Sequence, residues 1–137
     1  MSNITVEELK EKAIQLRQTA VTMVYHAQSG HPGGSLSAAD FVTALYFREM
    51  NVNPEDPEWA DRDRFVLSKG HVAPIQYAAL AHRGFVPMET VKTLREYKSP
   101  FQGHPDSKKM SWNRYLYRLS WAGTILCSRH GISREIR

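Results

Sequence analysis

Apolar positions recur at helical spacing from the start of the chain. Leu9, Ala13, Leu16, Ala20 and Met23 fall on one face, and most positions between them are polar or charged. Thr5 stands ahead of this run as an N-cap. Glu7 and Glu8 follow in the first turn, where the helix dipole favours carboxylates. The pattern predicts a helix from about Val6 to His26, ended by the loop Gly30-His31-Pro32-Gly33-Gly34. Ser37 can then cap a second helix, Ala38 to about Met50, with Phe41, Ala44, Leu45 and Phe47 available for burial. Asn51 to Asp63 reads as a polar connection containing Pro54 and Pro57.

Arg64-Phe65-Val66-Leu67-Ser68 is short, apolar and partly β-branched, which predicts a buried strand ending in a loop at Lys69-Gly70. A helix is expected from His71 to about Arg83, with Gly84 as its stop. Pro87 opens another, expected to run to about Tyr97 before Ser99-Pro100 ends it. Helices alternating with a buried strand predict an α/β layer fold. No internal repeat or low-complexity segment interrupts the pattern.

Composition changes this picture only near the end. The chain of 137 residues is long enough for one small domain with a core. Its net charge of +4 is carried wholly by residues 111–137, where five arginines face only Glu135. That stretch also holds Trp112, Trp121 and the lone cysteine, Cys127, so a boundary is expected near residue 110. One cysteine excludes an internal disulfide framework and fits a reducing cytoplasm. No apolar run suits a membrane span, and the N-terminus lacks the basic start and apolar stretch of a signal peptide. The tail arginines share no helical face, and Gly123 and Gly131 interrupt them. A nucleic-acid or membrane-surface role for the tail is therefore disfavoured.

The candidate chemistry lies in three loops that each pair glycine with histidine. They are Gly30-His31-Pro32-Gly33-Gly34, Ser68-Lys69-Gly70-His71 and Gln102-Gly103-His104-Pro105-Asp106. Glycine lets backbone come close to a ligand, and proline stiffens the turn. Together they suggest one site assembled from loops for an anionic or hydroxylated ligand. His31 can contact substrate where backbone amides also point inward, or can serve as a turn residue satisfying a carbonyl. His71 follows a strand end, where α/β sheets bind ligands, or caps a helix in water. His104, in Gly-His-Pro, reads on its own as a turn residue. A zinc centre of His31, His71 and His104 is a rival, although their spacing matches no compact metal motif. His26, His82 and His130 read as ordinary polar residues. Asp61-Arg62-Asp63-Arg64 reads as an ion-paired entry to the strand rather than a catalytic carboxylate pair.

SGHPGGSLSAAD, DRDRFVLSKGH and QGHPD, in this order and spacing, resemble the N-terminal region of transketolase, from about Val6 to Lys109. The resemblance implies part of a thiamine diphosphate-binding fold, a parallel sheet with flanking helices. It implies transfer of a two-carbon ketol unit from a ketose phosphate to an aldose phosphate, as in the pentose phosphate pathway. It implies thiamine diphosphate with Mg²⁺ or Ca²⁺, although the family's Gly-Asp-Gly metal motif does not occur here. By the same resemblance, His31 and His104 contact substrate, and Gly70, His71 and His104 lie at the cofactor. The partners implied are sugar phosphates and a C-terminal section or second chain of a dimer. The isolated chain is then expected to be inactive.

After Lys109 the resemblance stops. Residues 1–110 read as the N-terminal part of the diphosphate-binding domain, and 111–137 as an out-of-frame tail. Trp112 must be encoded TGG and Asn113 begins with A, so reading one nucleotide later gives glycine. With permitted codons throughout, the shifted frame from Ser111 to Glu135 can read PGIDISTGSLGQGLSCAVGMALAGK. That string resembles the family's glycine-rich segment. The tail as it stands has no sustained apolar period and is expected to be poorly packed.

Overall fold

The computed structural model describes residues 4–106, 125–129 and 132–136. Helix α1 spans Val6–Ala27 and buries Ala13, Leu16, Ala20 and Met23, the face its periodicity predicts. Its N-terminus is a reciprocal capping box. The Glu8 amide donates to Thr5 Oγ1 at 3.2 Å, and the Thr5 amide donates to Glu8 Oε2 at 2.7 Å. Those bonds to Thr5 hold the Glu8 carboxyl below its ordinary pKa.

Helix α2 spans Pro32–Ala44 and continues through a wide π turn, Leu45–Glu49. It begins well before the expected Ser37 cap: Pro32 and both glycines are helical. Pro32 occupies the first turn, where its missing N–H costs nothing. Gly34 leaves no room for a side chain. A Cβ there would come within 2.9 Å of the Val72 side chain. Ser35 is fully buried beside it, donating to the Val72 carbonyl at 3.5 Å. The second glycine thus serves contact between chain segments rather than ligand approach.

Asn51–Asp63 is the expected connection, closed on itself at both ends. The Asn51 amide donates to Asp63 Oδ2 at 2.7 Å, and the Asp63 amide to the Asn51 carbonyl at 2.9 Å. The buried Asp63 is therefore structural, in line with the reading of the acidic–basic run as strand entry. Strand β1, Arg64–Leu67, follows and buries Phe65 and Leu67.

After β1 a 3₁₀ turn, Gly70–Val72, leads into α3, Ala73–His82. Residues 73–81 are all buried, so α3 is the central element, apolar nearly all round. α1 and α2 pack against it and against each other. Gly84, at φ +85°, ends this region as expected. The helix expected from Pro87 to Tyr97 is only a 3₁₀ segment, Met88–Thr93. Thr90 Oγ1 donates to the Pro87 carbonyl at 2.6 Å, and Thr93 Oγ1 to the Thr90 carbonyl at 2.8 Å. Such local bonds compete with a longer helix.

The sheet differs from the parallel arrangement expected. β1 pairs antiparallel with β2, Ile125–Arg129, which pairs antiparallel with β3, Ile132–Ile136. Arg64 stands opposite Ser128 and Leu67 opposite Ile125. A parallel partner needs a crossover from a second strand of the same direction, and β1 is the only strand among the described residues before 107. The expected boundary near residue 110, and the rest of the segment 107–124, lie outside the described residues.

Candidate functional site

The three glycine–histidine loops meet. His31 is the N-cap residue of α2, and its side chain makes no capping hydrogen bond. His71 lies in the 3₁₀ turn after β1. Their rings stand edge to face, with centroids 5.4 Å apart and an interplanar angle of 75°. His104 arrives from the other loop. Its ring lies over Gly70, where a Cβ would come within 2.5 Å of Cδ2. The cradle therefore exists because residue 70 has no side chain. All three histidines are exposed.

The surrounding packing explains how His104 is held. Phe101 is fully buried, edge-on to Tyr77 with ring centroids 5.1 Å apart. Tyr77 Oη donates to the Gln102 carbonyl at 2.8 Å. Burial, with a smaller contribution from the charge of Asp106, pushes the Tyr77 phenol well above its ordinary pKa, so it remains a donor. Gln102 Nε2 donates to the Ser99 carbonyl at 2.6 Å, closing the loop on itself. The segment 101–106 is thus pinned to α3 at its base while His104 remains open to solvent.

Arg95 reaches the same place from the segment after the second 3₁₀ turn. Its backbone amide donates to the Phe101 carbonyl at 2.7 Å. Its guanidinium Nη1 donates to Ser29 Oγ. The guanidinium also covers Gly103, where a Cβ would lie 3.0 Å from Nε. Sequence reasoning missed Arg95 and Ser29, because Arg95 falls inside a stretch whose pattern predicts an ordinary helix. Tyr77 carried a faint signal, as a phenol in a largely apolar helix.

The donor set suits an anionic, hydroxylated ligand. Three imidazoles can donate or accept hydrogen bonds, and the free amides at the N-terminus of α2 stand next to His31. Among the described residues no group of three or more His, Cys, Asp or Glu side chains could hold an ion, and the three histidines form no such group. Among the described residues, too, no helix is long and apolar enough to cross a membrane.

The model of the transketolase thiamine diphosphate-binding domain matches residues 9–112. The chain belongs to the transketolase family. It is 41% identical over 104 residues to transketolase of Pongo abelii, covering 76% of this chain and 17% of that one. It is 42% identical over 98 residues to transketolase 1 of Escherichia coli, covering 71% of this chain and 15% of that one. Among solved structures, transketolase from Campylobacter jejuni superposes with a TM-score of 0.70 at 35% identity, covering 78% of this chain and 17% of that chain. The chain therefore spans only 15–17% of the length of these two curated relatives. The described region carries the transketolase α/β fold in part and is mostly helical, with β1 its one strand before residue 107.

Proposed function

We propose that the face carrying His31, His71 and His104 binds thiamine diphosphate and a sugar phosphate, as the N-terminal portion of a ketol-transferring enzyme. The observation that supports it is the meeting of three loops distant in sequence: His31 against His71, and His104 over Gly70. Gly70, His71 and His104 would hold the cofactor, with the imidazoles as donors to phosphate oxygens. His31 and His104 would hydrogen-bond sugar hydroxyls and carry protons in either direction, which suits imidazole near neutral pH. Bound thiamine diphosphate supplies the carbanion chemistry that breaking a carbon–carbon bond beside a carbonyl requires.

The metal that accompanies the cofactor, Mg²⁺ or Ca²⁺, finds no ligand set among the described residues. Diphosphate charge would then lack its main counter-ion, so binding by this chain alone is weak and turnover absent. A C-terminal section or a second chain would complete the site. A cytoplasmic setting and a place in the pentose phosphate pathway belong to the same proposal, as does an out-of-frame origin for residues 111–137.

Calorimetric titration with thiamine diphosphate, with and without Mg²⁺, tests the binding face. A coupled assay with a ketose phosphate donor and an aldose phosphate acceptor tests turnover. Weak binding abolished by His71→Ala, with turnover only after frame restoration and addition of the C-terminal partner, is the expected result. A frame-restored, partnered protein that stays inert overturns the proposal.

A further inference from the structure

We infer that Arg95 is a positioning residue that fastens the His31 loop to the His104 loop. Its guanidinium bonds Ser29, two residues before His31, and covers Gly103, the residue before His104. Tyr77 fixes the base of the 101–106 segment, and the Arg95 side chain spans from that segment to residue 29.

Two features support a built contact rather than a chance approach. First, Arg95 adopts φ +65°, in the left-handed region that non-glycine residues avoid. Such conformations persist where surrounding structure imposes them, here through the bond from the Arg95 amide to the Phe101 carbonyl. Second, residue 103 is glycine where any side chain would meet the guanidinium at its Nε, Nη2 and Cζ atoms. A planar guanidinium can lie flat over backbone and bond sideways at once. A lysine ammonium can do only the second. The consequence is that the placement of His31 relative to His104 depends on a residue outside all three glycine–histidine loops.

The inference rests on the proposed ligand face, and its test separates the two. The ¹⁵N-labelled chain is compared with Arg95→Gln, Arg95→Lys and Ser29→Ala by NMR. In the unaltered chain, cross-peaks from the Arg95 guanidinium to Ser29 and Gly103 are expected. Arg95→Gln should shift the ring signals of His31 and His104 and broaden the amides of residues 29–31 and 102–104. The unfolding midpoint and the core methyl signals of Val42 and Ile75 should not move. Arg95→Lys should recover only the Ser29 side of the contact. If Arg95→Gln fails to fold, Ser29→Ala, which removes one surface hydroxyl, provides the same readout. Unchanged ring signals and sharp loop amides in both variants would overturn the inference. Titration of each form with thiamine diphosphate is the second arm. Ligand-induced shifts at His104 that shrink in Arg95→Gln support it. No shift at any of the three histidines of the unaltered chain defeats the ligand face, while the ring-placement result still decides the role of Arg95.

Discussion

Thr19 on α1 and His82 on α3 share a hydrogen bond of 2.9 Å. The imidazole is half-buried. Burial first, and the charge of Lys12 second, lower its pKa from the ordinary value of 6.5. In the window below 6.5 the unfolded chain takes up a proton that the folded chain resists. His82 thus contributes full stability above that pH, and the contribution is lost as pH falls through the folded value. Urea unfolding at pH 7.5 and pH 5.5 (about one unit either side of 6.5) should show lower stability at the acidic value. His82→Gln should flatten that difference. An equal pH dependence in both proteins would exclude this assignment.

Gly33 and Gly34 lie in the same helical turn and should respond oppositely to alanine. Nothing lies within 4 Å of a Cβ at Gly33, so Gly33→Ala should stabilise by about 0.5–1 kcal/mol through helix propensity and chain entropy. At Gly34 the new methyl meets the buried Val72 at 2.9 Å. Overpacking costs about 1–3 kcal/mol, which exceeds the propensity gain. Thermal or urea unfolding of the two variants checks the sign of each.

Gly70→Ala should damage the site without damaging the fold. The methyl would strike the His104 ring, which is an exposed side chain able to swing aside. Stability should therefore stay within about 0.5 kcal/mol of the unaltered chain. The His104 ring signals should shift, and any thiamine diphosphate-induced change at His104 should disappear. Retention of that change would mean that contact with Gly70 is not what places the ring.

Tyr77→Phe removes the hydroxyl that pins the Gln102 carbonyl. A cost of about 1–2 kcal/mol is expected, within the range for a hydrogen bond whose acceptor loses its partner. Amide exchange should accelerate across 101–106 more than across α1. Uniform exchange throughout the chain would show that the bond does not govern this segment.

The helical face of α1 was legible because spacing alone determines it, and Leu16, Ala20 and Met23 are buried as their period requires. The start of α2 was not. Pro-Gly-Gly is a loop signal in isolation, and the need for glycine at residue 34 shows only in the proximity of Val72, a contact across 38 residues of sequence. The meeting of His31, His71 and His104 was readable from three glycine–histidine loops at element ends. The strap through Arg95 was not, because a guanidinium bonded to a serine 66 residues away leaves no local mark. The antiparallel sheet was hidden for a similar reason. The partner of a strand and the direction of pairing leave no local mark, and β2 lies in a segment whose composition argues for no element at all.

The register that sets Arg64 opposite Ser128 also orders events in time. Arg17 and Asp40, which join α1 to α2 with contacts of 3.0 and 2.6 Å, are separated by 23 residues. Closing the β1–β2 loop instead of that one costs roughly 0.9 kcal/mol more chain entropy. More important, β2 is synthesised after all three helices. They can therefore associate on the ribosome while β1 still has both edges unpaired. During that interval an apolar strand edge is open to other chains. Pairing with β2 is then a late, long-range step that closes one of those edges.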